Sequence, residues 1–190
     1  HTRLLTVTGV QTCALPISLF CNVAPEAVIE ARDASSIYEV PLLMDKEKLD
    51  EVVLKKLGVN ETTSHNLDAW REFINRLNHP KNEIKIGLVG KYVELKDSYK
   101  SISEAFIHAG AQKECKVKLE WIHSESLTEE VIGEKFKGLK GILVAPGFGN
   151  RGIEGKILAI KYARENQIPF LGICLGMQCA VIEFARNVIG

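Results

Sequence analysis

From residue 84 onward the chain repeats one unit: a short run rich in Ile, Val and Leu, followed by a longer stretch with apolar residues at helical spacing. Residues 84–89, 117–122, 141–144 and 168–173 read as strands. Ile102, Ala105, Phe106 and Ala109 mark one intervening helix; Ile153, Ile157 and Ile160 mark another, and Met177, Ala180, Val181 and Phe184 the last. A strand that returns parallel to its predecessor needs a helical crossover, so this order predicts an α/β fold with a parallel sheet covered on both faces. Chemistry in such sheets gathers at the carboxyl ends of the strands.

Two of those ends carry unusual residues. Gly172-Ile173-Cys174-Leu175-Gly176-Met177 places a cysteine between paired glycines, just where a strand should turn into a helix. This is the layout of a nucleophile elbow with sulfur in place of the serine oxygen. The helix following from Leu175 would set its positive end beside the sulfur, an arrangement that favours the attacking thiolate. A buried core cysteine is the plain alternative, and the glycine pair argues against it. The preceding strand ends in Ala145-Pro146-Gly147-Phe148-Gly149. An acyl-transfer intermediate needs two fixed N–H donors for its developing oxyanion, and those of Gly147 and Leu175 are the natural pair.

Composition narrows the function. Twenty-four basic residues balance twenty-four acidic ones among 190, which argues against a broad nucleic-acid footprint or a polybasic membrane surface. No run approaches the roughly 18 apolar residues of a membrane span. The five cysteines, Cys13, Cys21, Cys115, Cys174 and Cys179, show neither CxxC nor paired metal spacing, and the five histidines show no i, i+4 pair. A disulfide scaffold and a metal site are both poor readings, and a reducing cytoplasm fits best.

The amino-terminal part is less regular. Residues 1–16 follow neither period and resemble translated adaptor sequence, so residues 1–17 are expected to be non-native. Pro25 followed by Glu26 to Glu30 suits a short helix, and residues 37–40 before Pro41 suit a strand. Asp45 is placed to cap a helix over residues 46–57, stopped by Gly58. Residues 59–66 form a turn-rich linker, and Leu67, Trp70, Phe73, Ile74 and Leu77 form the stripe of a helix ending before Pro80. The expected boundaries are residues 18–58, a linker with its helix over 59–82, and 83–190.

The strings Gly-Ile-Cys-Leu-Gly-Met-Gln at the elbow, Pro146-Gly147-Phe148-Gly149-Asn150-Arg151-Gly152-Ile153-Glu154-Gly155, and Gly90-Lys91-Tyr92 with Asp97-Ser98-Tyr99-Lys100-Ser101 resemble the cytidine triphosphate (CTP) synthase family over residues 18–190. The resemblance implies the flavodoxin-like parallel sheet of a class I glutamine amidotransferase, preceded by the carboxyl-terminal piece of a P-loop-type amidoligase domain. It further implies an enzyme that uses ATP and Mg2+ to activate UTP and aminates it to CTP with ammonia from glutamine. By the same matching, Cys174 would be the nucleophile. Gly147, Leu175, Gly176, Met177 and Gln178 would serve the oxyanion and glutamine. Arg32, Asp33 and Ala34 would contact ATP, and Arg151, Gly152 and Glu154 would belong to the region of allosteric activation by GTP. A homotetrameric parent with small-molecule substrates follows from the same likeness; the cytoplasmic setting, with neither nucleic acid nor membrane as partner, is expected from the cysteines, the charge balance and the apolar runs.

Two positions depart from the family pattern. Ala145-Pro146-Gly147 stands where many relatives have Pro-Gly-Gly, and Pro16 stands where a lysine is expected. The triad His and Glu, and most of the amidoligase site with its magnesium ligands, are expected outside the 190 residues, so the chain alone should be inactive. Readings of other classes are a different class I amidotransferase, which should lack the segment from residue 18 to residue 43, and a non-enzymatic flavodoxin-like module or cysteine peroxide sensor.

Overall fold

The computed structural model describes residues 9–59 and 66–190. The chain divides into two compact units, His1–Ile74 and Asn75–Gly190. The expected linker lies largely at residues 60–65, outside the described residues, as do residues 1–8 of the expected foreign segment.

The first unit is helical. Helix α1 (Gly9–Cys21) contains Pro16, although no helical period is legible there in the sequence. A single 3-10 turn, Pro25–Ala27, stands where a longer helix was expected. The expected strand at residues 37–40 is instead a 3-10 turn, Ile37–Glu39, running into α2 (Val40–Lys46). The Ser36 hydroxyl accepts from Tyr38 N–H at 3.2 Å, and Pro41 sits at the start of α2. These helix-start signals outweigh the strand preference of Ile37 and Val40.

Helix α3 (Leu49–Leu57) begins three residues later than expected, after a left-handed Lys48. The Asp45 carboxylate pairs with Arg71 at 2.8 Å, so it is engaged away from the position expected of a cap. Gly58 ends α3 as expected, at φ +67° with its N–H on the Leu54 and Lys55 carbonyls. Helix α4 (Asp68–Asn78) presents the predicted stripe: Trp70 and Phe73 meet Tyr38 at ring-centroid distances of 6.2 and 5.4 Å, and Trp70 Nε1 donates to the Tyr38 carbonyl at 2.9 Å.

The second unit is the predicted parallel sheet. Strands β1 (Asn82–Gly90), β2 (Cys115–His123), β3 (Gly141–Val144) and β4 (Phe170–Gly172) lie in the order β2-β1-β3-β4, every pair parallel. The crossovers are α5 (Lys100–Gln112), α6 (Glu129–Lys135) and α7 (Ile153–Glu165), and α8 (Leu175–Phe184) follows β4.

Alternation along the strands builds two cores. Leu88 and Leu143 point to one face with Val93, Tyr99 and Ala145, against Ile102 and Phe106 of α5. Val89, Ile142 and Val144 point to the other, against Ile132 of α6, Phe136 at its carboxyl-terminal cap, and Ile157, Ile160 and Cys179 from α7 and α8. Strand order reverses between β1 and β3, a topological switch point whose crevice lies at their carboxyl ends.

Candidate functional site

The segments following β1, β3 and β4 meet at that edge. Ala145 N–H donates to Val89 O at 2.9 Å and Ile173 N–H to Val144 O at 3.1 Å, so both loops leave the sheet in register. Cys174 sits between β4 and α8 at φ +52°, ψ −108°, a conformation that costs a non-glycine residue on the order of 1–3 kcal/mol. Close packing maintains it. A Cβ at Gly172 would fall 2.6 Å from the Gly176 carbonyl carbon, and one at Gly176 would run into the Val144 carbonyl oxygen. The two glycines therefore let α8 start directly against the ends of β3 and β4. The Cys174 side chain is left exposed.

The Gly147 loop lies beside this elbow. A methyl at Gly147 would touch Leu175 Cδ2 at 3.7 Å and Lys156 Nζ at 3.6 Å. Among the described residues neither Gly147 N–H nor Leu175 N–H donates to another group, and Pro146 has no N–H to offer. Two uncommitted donors thus flank an exposed thiol. Gly176 is buried, whereas Met177 and Gln178 are exposed on the first turn of α8.

Lysines absent from the sequence-based site assignments hold the loop from behind. Lys156 is fully buried and its Nζ donates to Ala145 O at 2.7 Å. Burial pushes its ammonium below the ordinary lysine range; Lys91 adds in the same direction, while Cys179 and Cys174 oppose it. Lys91, also buried, donates to the carbonyls of Phe148 and, at 3.2 Å, Gly149. The one sequence signal that could have found Lys156 is its place on the apolar stripe of α7, three residues after Ile153 and four before Ile160, and the sequence reading passed over it. Cys179 is the buried cysteine of α8, and burial pushes its thiol up.

The expected effector residues follow the same loop. Arg151 is exposed, pairs with Glu125 at 2.9 Å and lies over the Tyr92 ring, 5.7 Å from its centroid. Gly152, at φ +74°, caps α7, and Glu154 pairs with Arg186 at 3.0 Å. A phosphate arriving at Arg151 would compete with Glu125. Arg32, Asp33 and Ala34 occupy an irregular stretch of the first unit, where Arg32 pairs with Glu30. The described histidines lie away from the elbow: His123 ends β2, the opposite edge strand from β4, His108 is on α5, and His79 precedes β1. Among the described residues no group of three or more His, Cys, Asp or Glu could hold a metal ion, and no helix is long and apolar enough to cross a membrane.

These features define a flavodoxin-type α/β domain carrying a cysteine elbow at its switch-point edge. The family model described as glutamine amidotransferase class-I matches residues 94–190, and the one described as CTP synthase N-terminus matches residues 9–59. CTP synthases of Cytophaga hutchinsonii and Flavobacterium psychrophilum are 62% and 63% identical to the chain, each over 92% of it and 32% of the relative. That of Methanocaldococcus jannaschii is 61% identical over 92% of the chain and 33% of the relative. Among solved structures, the glutaminase domain of Trypanosoma brucei CTPS with bound acivicin is 41% identical with a TM-score of 0.52, covering 56% of this chain and 42% of that one. The chain belongs to the class-I glutamine amidotransferase family and, within it, to the CTP synthases. It spans about a third of the length of the curated relatives it matches.

Proposed function

We propose that this chain supplies the glutamine-hydrolysing elbow of an ATP-dependent enzyme that aminates UTP to CTP. The observation that carries the reading is the strained, exposed Cys174 at the start of α8, set beside the uncommitted N–H groups of Gly147 and Leu175.

In this reading the Cys174 thiolate attacks the δ-carboxamide carbon of glutamine. The carbonyl oxygen becomes an oxyanion held by the Gly147 and Leu175 N–H groups, and the C–N bond then breaks as nitrogen takes a proton and leaves as ammonia. Water hydrolyses the resulting glutamyl thioester to glutamate and restores the thiol. Met177 and Gln178, exposed on the first turn of α8, would line the glutamine site with Gly176 beneath them. Glutamine-pocket groups and the triad base from outside the described residues would complete the half-reaction.

ATP would contact Arg32, Asp33 and Ala34 in the first unit, and GTP would act at Arg151, Gly152 and Glu154. The described residues gather no donor set for Mg2+, whose ligands would come from the remainder of the amidoligase domain. The homotetrameric assembly and cytoplasmic setting of the parent belong to the same proposal.

The test is a split of two activities in the full-length enzyme. Cys174→Ala should abolish glutamine-dependent CTP formation and leave formation from added ammonia intact, because the thiol only generates ammonia. Loss of both activities in a folded variant would place Cys174 outside a separable glutaminase half-reaction.

A further inference from the structure

A lysine ammonium with no solvent exposure is costly unless every proton finds work. Lys156 has that burial, and its Nζ donates to the Ala145 carbonyl, the residue at which β3 becomes the site loop. Its Nζ lies directly behind Gly147, in electrostatic reach of Cys174. The other end of the loop is fixed separately, by Lys91 on the carbonyls of Phe148 and Gly149. Pro146, between these anchor points, donates nothing. Two planar peptide groups and the fixed φ of Pro146 leave only Pro146 ψ free between the Ala145 carbonyl and the Gly147 N–H, so holding that carbonyl narrows the orientations open to the N–H.

We infer that Lys156 is a positioning residue for glutamine hydrolysis: by drawing the Ala145 carbonyl back into the core, it turns the Gly147 N–H toward the Cys174 elbow as an oxyanion donor. The inference rests on the glutaminase reading. It assigns Lys156 no contact with glutamine and no proton transfer. A donor held in place matters most when negative charge develops on oxygen, so the effect belongs to kcat rather than to glutamine binding.

The experiment compares Lys156→Met, Lys156→Gln and Cys174→Ala in the full-length enzyme, measuring kcat and KM for glutamine beside ammonia-dependent synthesis. Loss of a single oxyanion donor costs about 100-fold or more in kcat. Lys156→Met should therefore lose about 100-fold in glutamine-dependent kcat with KM nearly unchanged and ammonia-dependent synthesis kept. Lys156→Gln, which retains a donor for the Ala145 carbonyl, should recover to within about tenfold of the parent. Parental kcat in the Met variant would overturn the inference. So would a Gln variant no better than Met, or failure of both to fold, which would make Lys156 structural. Retained glutaminase activity in Cys174→Ala would instead defeat the underlying reading, whatever Lys156 does.

Discussion

The two units are built on different terms. In the sheet unit, strand alternation feeds two cores in which Leu88, Val89, Val144, Ala145 and Ala159 are fully buried. Among the described residues of the first unit, Ile74 is the single buried hydrophobic, while Leu19, Phe20, Ile37 and Leu57 are exposed. The sheet unit is fixed by long-range packing, so a small steric change where its elements touch, as at Gly110, Gly155, Gly172 or Gly176, meets backbone. The first unit takes its local shape from caps, prolines and one aromatic cluster, so a comparable change meets open space.

Glycine substitutions should show the largest difference between the two units. A Cβ at Gly155 would collide with the Ser124 carbonyl oxygen, whereas one at Gly58 meets nothing within 4 Å. Gly155→Ala should cost more than about 4 kcal/mol and leave little soluble protein. Gly58→Ala should cost about 1 kcal/mol, the penalty of a left-handed conformation alone. Denaturant melts of the two variants, followed by circular dichroism, check both. Equal losses would remove the distinction between the units.

A smaller effect should come from the pair that ties α7 to α8. Glu183 is buried and takes a forked hydrogen bond from Arg164, with Nη2 to Oε1 at 2.8 Å and Nε to Oε2 at 3.1 Å. That hydrogen bond, more than the charge attraction beside it, holds the Glu183 carboxyl below the ordinary glutamate range, against desolvation. A depressed folded value means the stabilisation is present above the unfolded carboxylate range and is lost as pH falls through the folded value. Glu183→Gln should lower the melting temperature of the sheet unit by several degrees near neutrality. The gap between variant and parent should close on acidification, as a melting series across pH will show.

In the first unit, Trp70→Phe removes the 2.9 Å hydrogen bond to the Tyr38 carbonyl while keeping an aromatic ring in the cluster. A cost of about 1 kcal/mol is expected, read as faster amide exchange in α4 with the sheet amides unchanged. Glu83 sets the lower bound. Its exposed pair with Lys118, at 2.8 Å, bridges the open ends of β1 and β2, and Glu83→Gln should leave the melting temperature within experimental scatter.

The same contrast decides what was legible in the sequence. The four strands and their parallel order could be read because each apolar run is short, β-branched and separated by a helix-period stretch, so local preference and global burial agree. The elbow was legible because only Gly172 and Gly176 permit α8 to start where it does. The strand expected at residues 37–40 failed because Ser36 and Pro41 set a helical turn that no sheet partner opposed. Lys156 escaped for the opposite reason: charge on a helix ordinarily signals solvent, and its burial depends on the Ala145 carbonyl, which joins it only through the fold. Arg151 and Glu154 were found through family likeness. Their partners Glu125 and Arg186 were not, because one lies 26 residues earlier and the other 32 later in the sequence.

Peptide mapping after treatment with a glutamine-analogue electrophile will show whether Cys174, rather than another thiol, is the nucleophile. Cys21, Cys115, Cys174 and Cys179 are all free thiols, and Cys21 is exposed as Cys174 is, so exposure alone does not select between them. One adduct per chain is expected, on Cys174, suppressed by excess glutamine and absent in Cys174→Ala. Labelling of Cys21 or Cys115 at the same rate, or an adduct on Cys174 that glutamine does not suppress, would contradict it.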